Sequence, residues 1–230
     1  IGNLVDLTPR AVSVLRSVNL ILAEDTRRFA ILAREYNIET PYRSYHDHNE
    51  QRQVASLIEQ LQAGRSLALV SEAGTPTIND PGYRLVSACR KERVAVSSVP
   101  GPCAAIAALS ISGFETDSFC FQGFPSRKRS KRERELREAL SRNCATIFYE
   151  SPYRILATIS EVAAIDPERD LFIGRELTKI HEECLSGKAE RLSAELKQHK
   201  TLKGEFVLII RRNEKGAATF EPEADEEDES

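Results

Sequence analysis

The stretch LALVSEAGTPTINDPG, residues 67–82, decides how the rest of the chain is read. Leu67 to Val70 is a short continuous apolar run of strand length. It opens directly into a loop of Gly, Thr, Pro, Asn and Asp. In open α/β sheets, ligands bind beyond the carboxyl ends of the strands. Gly74 can take backbone angles that a side chain forbids. Pro76 and Pro81 stiffen the path, and Thr75 and Asn79 offer side-chain hydrogen bonds. The segment is neither the dinucleotide fingerprint G-x-G-x-x-G nor the phosphate loop G-x-x-x-x-G-K-[ST]. A plain strand-to-helix connection, with Asp80 capping the next helix, uses the same residues. Residue types alone leave both readings open.

On either side, strand and helix signals alternate. VNLILAEDT reads as a strand ending in acids, and Glu50–Gln62 as a helix with Val54, Leu57, Ile58 and Leu61 on one face. A helix starts at Pro81, then come the strand VAVSSVP, a small-residue helix from Pro102 and the strand FCFQGF. After it follow a helix over about 130–142, the strand ATIFYE, the helix SPYRILATISEVAAI, the strand DLFIGREL, the helix ERLSAELKQH and the strand GEFVLIIRR. This order predicts α/β architecture with largely parallel sheets. A composition break falls at FPSRKRSKRERELRE, where six of the eight residues from Arg127 to Arg134 are basic. The expected organisation is an α/β domain over 1–123, a second over 124–212 and a disordered acidic tail over 213–230.

The 230-residue chain has an ordinary globular balance of 41% hydrophobic and 29% charged residues. No apolar run approaches membrane-helix length. The net charge of −3 conceals an asymmetry. Seven acids and no base lie in AATFEPEADEEDES, so the body without that tail carries an excess of four positive charges. The five cysteines are odd in number and never spaced C-x-x-C. That argues against a zinc ribbon and a disulfide framework and fits buried thiols in a reducing cytoplasm. The chain begins at Ile1 and contains no methionine, so the natural start is expected upstream.

Several segments carry polar groups where a ligand would lie. VPGPCAA (99–105) places small residues at a helix N-terminus, where free N–H groups can meet a ligand. ILAEDTRRF puts Glu24 and Asp25 at a strand end with Arg27 and Arg28 beyond; a helix cap by Asp25 or Thr26, with the arginines solvated, explains it equally well. SYHDHNEQRQ contains His46, His48 and Asn49. Its spacing supplies no third and fourth metal ligand, so no metal is expected, and Asp47 with Glu50 fits a capping box. FYESPYR and GRELTKIHEE follow apolar strands, and in the latter Glu176 and Lys179 could orient or deprotonate a hydroxyl. The basic stretch attracts phosphates. Its interleaved Glu133, Glu135 and Glu138 fit a solvated helix with i,i+4 pairs just as well.

IGNLVDLTPRA, AEDTR, YHDHNE, SEAGTPTINDPGY, VPGPCAA, FYESPYR, RELTK and KGEFVLI occur in this order over residues 1–210. Together they resemble the bacterial ribosomal RNA small-subunit methyltransferase I family, a branch of the tetrapyrrole methylase superfamily. The resemblance implies two α/β domains of the tetrapyrrole methylase type with a cofactor cleft between them, S-adenosyl-L-methionine as cofactor, and usually a homodimer. It implies methyl transfer to the ribose 2′-oxygen of a cytidine in the decoding centre of 16S rRNA, on the small ribosomal subunit. It also implies cofactor contacts at Gly74, Thr75, Pro76, Ile78, Cys103 and Ala104, with Tyr149, Leu177 and Gly204 closing over the adenosine. The family pattern has a strand and T-P before I-G-N-L, and that part of the pocket is expected upstream of Ile1. A ribose hydroxyl is a poor nucleophile and needs a proton acceptor. Asp25 is the first candidate, Glu176 and Lys179 the second. Arg27, His46, His48 and Asn49 are candidates for holding RNA. A tetrapyrrole C-methyltransferase and a non-catalytic ribosome assembly factor are the alternatives.

Overall fold

A computed structural model describes residues 1–198 and 202–213. The chain divides into two compact units. The first contains Ile1–Ala104 and Thr178–Ile180, the second Ala105–Leu177 and the described residues from His181 onward. The acidic tail lies outside the described residues.

The first unit runs α1 (Pro9–Ser17), β1 (Leu20–Ala23), α2 (Thr26–Glu35), β2 (Tyr42–Ser44), α3 (Glu50–Gln62), β3 (Leu67–Val70) and α4 (Tyr83–Lys91). The three strands form a parallel sheet in the order β2-β1-β3. Alternation along the central strand builds a layer on each face. Ile21 and Ala23 join Leu15, Phe29, Ala33 and Ile38, so that face packs on α1 and α2. Leu22 joins Tyr45, Leu57, Ile58, Leu85 and Cys89 on the face covered by α3 and α4. α1 opens with Thr8 accepting from Ala11 N–H and Pro9 at the first helical position.

Two local expectations fail here. VAVSSVP forms no strand, although Val94 and Val96 pack against the α3–α4 cluster. Its side chains alternate as in a strand, but β3 pairs with β1 alone among the described residues, so no ladder forms. The capping box at α3 also does not form. Asn49 occupies the cap position without a capping bond. Glu50 is instead 7% exposed and accepts from Arg84 Nε at 2.9 Å and from Gly82 N–H.

The second unit runs α5 (Ala104–Ile111, from the boundary), β4 (Phe119–Gly123), α6 (Arg129–Ser141), β5 (Ala145–Glu150), α7 (Ile155–Ile165), β6 (Asp170–Arg175), β7 (Glu183–Lys188), α8 (Ala189–Leu196) and β8 (Phe206–Ile210). Its five-stranded sheet has the order β4-β5-β8-β6-β7. Only β4 and β5 are parallel; β8 runs antiparallel to both β5 and β6, and β7 antiparallel to β6. The expectation of largely parallel sheets therefore holds for the first unit and is corrected for the second. The last strand inserts in the middle, and its direction is set by long-range pairing. β4, expected in the first half, pairs with β5, so the compact units part at Ala104 and Ala105 instead of near residue 123. β7 escaped the sequence reading because ECLSGK is polar and carries Gly187. Leu136, Phe148, Ile159, Leu171, Ile173, Leu192 and Leu208 make one core under α6, α7 and α8. Among the cysteines, Cys89 is buried as expected, whereas Cys184 on β7 is exposed.

Candidate active site

In the first unit, the three carboxyl strand ends gather the loops singled out by the sequence. β1 ends at Glu24 and Asp25, β2 leads into Tyr45–Asn49, and β3 into the 71–82 loop. That loop is unusually shaped. Gly74, Thr77, Asn79 and Gly82 all have positive φ, at 92°, 71°, 63° and 127°. For Thr77, a β-branched residue, this is a sparsely populated conformation, of the kind that clusters at ligand clamps. Gly82 is required twice over: its φ forbids most side chains, and a Cβ there would lie 2.3 Å from Leu69 Cδ2.

The loop is tied to the second small-residue turn. Thr75 Oγ1 donates to the Pro102 carbonyl at 3.1 Å. A Cβ on Gly74 would sit 3.7 Å from that same oxygen. Thus Gly74, Thr75 and Pro76 are brought beside Cys103 and Ala104. Ile78 points outward at 41% exposure, an apolar side chain free to meet a ligand. Gly101 has nothing within 4 Å of its would-be Cβ, so this turn leaves open space.

Asp25 is committed elsewhere. It caps α2, accepting from Arg27 N–H at 2.8 Å and Arg28 N–H at 3.4 Å. The Arg27 guanidinium grips the same carboxylate through Nε and Nη2 at 3.1 and 2.7 Å. The Arg27 bonds, foremost that of its side chain, hold the Asp25 carboxyl well below the usual carboxylate range. Such an anion is a feeble base at neutral pH. Arg27 is exposed, its head spent on Asp25. Asn49 and His46 close one turn: Asn49 Oδ1 accepts from His46 N–H at 2.9 Å, and its amide reaches Ser44 O at 3.3 Å. His48 is exposed, its ring edge-on to His46 with centroids 5.8 Å apart.

Asp80 is the residue that the sequence reading treated only as a cap. Burial first, then Glu24, with Glu72 and Asp47 contributing, pushes its carboxyl up to about 7. Glu24 itself is fixed by accepting from Glu72 N–H at 2.9 Å, and Glu72 pairs with Arg28 at 2.7 Å. The acids come from separate segments, so no local motif announces the group. The constellation offers a carboxylate that exchanges its proton near neutrality, at the end of the Gly74 loop.

In the second unit, Tyr149, Leu177 and Gly204 lie at one end of the sheet, where β5 and β6 finish and β8 begins. Tyr149 accepts from Ala105 N–H at 3.3 Å and packs edge-on against Phe121 and Phe124. Leu177 is 6% exposed, and its side chain lies 3.0–3.2 Å from a would-be Cβ on Gly174, which makes it a core residue. Glu176, with φ of 49°, exchanges backbone and side-chain bonds with Glu205: its N–H donates to Glu205 O, and its Oε1 accepts from Glu205 N–H, both at 2.9 Å. Gly204 exists to admit it, since a Cβ there would lie 2.4 Å from Glu176 Cγ. Glu176 thus clamps a loop. Lys179 falls in the first unit, with its Cε 2.6 Å from a would-be Cβ on Gly2.

Residues 1–193 match the family of Tetrapyrrole (Corrin/Porphyrin) Methylases. A protein of Synechocystis named ribosomal RNA small subunit methyltransferase I is 46% identical over 211 residues, covering 91% of this chain and 75% of the relative. One of the same name from Hydrogenobaculum is 45% identical, covering 91% of each chain. The crystal structure of the methyltransferase CobJ superposes with a TM-score of 0.63 at 18% identity, over 89% of this chain and 87% of that one, a likeness of fold. By the extent of these matches, this two-unit α/β chain belongs to the tetrapyrrole methylase family, on the branch of the ribosomal RNA small subunit methyltransferases I.

Proposed function

We propose that the chain transfers a methyl group from S-adenosyl-L-methionine to the ribose 2′-oxygen of a cytidine in the decoding centre of 16S rRNA, within the small ribosomal subunit. The observation that carries this reading is the identity to rRNA small-subunit methyltransferases along nearly the whole body. The local geometry supports it. Gly74, Thr75 and Pro76, held to the Pro102 turn, with exposed Ile78 and the small residues Cys103 and Ala104, fit an apolar and polar ligand approached by backbone. These residues would hold the cofactor, which when bound supplies a methyl group on a sulfonium. The chain acts as a homodimer in the cytoplasm on this reading.

The protein's own work is alignment and proton handling. Positioning the hydroxyl in line removes much of the barrier. The hydroxyl proton needs an acceptor whose affinity matches neutral pH. Asp80 meets that requirement, with its carboxyl raised to about 7. Asp25 does not, because Arg27 and the α2 N–H groups stabilise its anion. Glu176 is occupied by Glu205.

Labelled methyl transfer to small subunits lacking the modification, with the product nucleotide mapped, tests the reading. The expected product is 2′-O-methylcytidine in the decoding centre. A protein that binds S-adenosylmethionine but methylates a porphyrinogen and not the subunit would replace rRNA with a tetrapyrrole. Failure to bind the cofactor at all would leave an assembly factor on this fold.

A further inference from the structure

One end of the second unit presents aromatic rings to solvent beside a run of uncompensated cations. Tyr153 is 94% exposed and Phe124 50% exposed. Neither belongs to the core under α6–α8. The segment bearing Tyr153 is nevertheless rigidly held. Glu150, 2% exposed, accepts from Thr158 Oγ1 at 2.7 Å, from Ser151 N–H at 2.8 Å, and pairs with Arg154 Nη2 at 2.6 Å. Arg154 Nη1 then donates to the Pro125 carbonyl at 3.1 Å. The residue after each ring therefore meets the other's loop, and the two rings share one platform.

The start of α6 is fastened to the same place. Ser126 N–H donates to Glu135 at 2.8 Å, and Arg132 donates to Ser126 O at 3.4 Å. The charges then separate cleanly. Each acid of α6 is engaged within the unit: Glu133 with Arg137, Glu135 with Lys131 and Ser126, Glu138 with Arg142. Arg132 is spent on Glu161, at 2.6 Å. Arg127, Lys128 and Arg134 are exposed and make no ion pair with any described residue. What remains outward is positive charge with exposed aromatic rings.

We propose that this end of the second unit is a face for single-stranded RNA, with Tyr153 and Phe124 stacking bases and Arg127, Lys128 and Arg134 meeting phosphates. It rests on the rRNA reading above and adds where that substrate is gripped. Stacking platforms flanked by cations are the physical solution for single strands, because every base offers a π-face and every linkage a charge. The backbone that carries Tyr153 is already held by Glu150 and Arg154, so less chain ordering is lost on binding.

The test uses the full chain and two probes: small subunits lacking the modification, for methyl-transfer kinetics, and a fluorescent single-stranded oligoribonucleotide, for anisotropy. Tyr153→Ala should weaken oligonucleotide binding by roughly tenfold and raise KM for subunits, with kcat, cofactor affinity and melting temperature unchanged. Tyr153→Trp should keep parental affinity. Arg127→Glu with Lys128→Glu should weaken binding and reduce the slope of log affinity against log salt by about 1.4. Parental affinity in all variants overturns the face while leaving the methyltransferase reading intact. A lighter sedimenting species for Tyr153→Ala, at unchanged RNA affinity, overturns it in favour of an interface between copies. Tyr153-dependent RNA binding by a parent that transfers no methyl group to subunits supports the face and rejects the enzymatic reading.

Discussion

β3 and β8 are written in the same alphabet, LALV and FVLII, yet they end in opposite surroundings. Every residue of β8 is buried, whereas all four of β3 are half-buried. β8 lies between β5 and β6 with a helical layer on its face; among the described residues β3 pairs with β1 alone, and it ends in the strained 71–82 loop. An apolar run states what a strand could bury. Its neighbours decide what it does bury. β3 leads into the candidate chemistry, and β8 lies at the centre of the second unit's core.

The sharpest way to break that contrast is truncation on both strands. Leu208→Ala opens a cavity in a closed core and should destabilise by about 2–5 kcal/mol. Leu69→Ala, on half-buried β3, should fall below that range. Equal losses in chemical denaturation would show that β3 is as central to stability as β8. Gly82→Ala comes next. Its left-handed strain alone is about 1–2 kcal/mol, and the clash with Leu69 Cδ2 adds to it. Gly64→Ala is the control, because its φ is 83° and nothing lies within 4 Å of the new Cβ. Leu69→Ala with Gly82→Ala should be less damaging than the two separate effects combined, since the first removes the second's obstacle. Strict additivity would mean that Gly82 matters through its backbone alone.

The same contrast sets what could be read from sequence. Helices with one apolar face, such as α3, and strands between turn signals, such as β5 and β8, follow from local period. The insertion of β8 between β5 and β6 does not, because it joins segments far apart in sequence. β2 escaped because three residues carry too little period. At the site, the Gly74–Thr75–Pro76 loop and the Pro102–Cys103 turn were legible as small-residue punctuation, and Thr75 joins them. Asp25 was open to two readings, and its bonds to Arg27 and Arg28 are local enough that the cap reading was available. Asp80 was out of reach, because Glu24, Asp47 and Glu72 meet it only after three strands are laid side by side.

The pH dependence of one variant separates structural from chemical roles at Asp80. In the folded chain it holds its proton up to about 7; unfolded, it releases it near about 4. Between these values the folded state binds more protons, so stability declines as pH rises. The contribution is complete below the unfolded value and lost above the folded one. Asp80→Asn cannot ionise and escapes this loss. The melting temperature of the variant minus that of the parent should therefore grow from about pH 4 to about pH 7 and then level off. A constant difference would remove the shifted proton from Asp80. If the carboxylate also accepts the ribose proton, kcat/KM of the parent should rise with pH up to about 7 and then plateau, and the variant should lose that limb along with most of its turnover. A stability limb without an activity limb would make the raised acid a consequence of packing strand ends together, and would pass the search for the proton acceptor to another group.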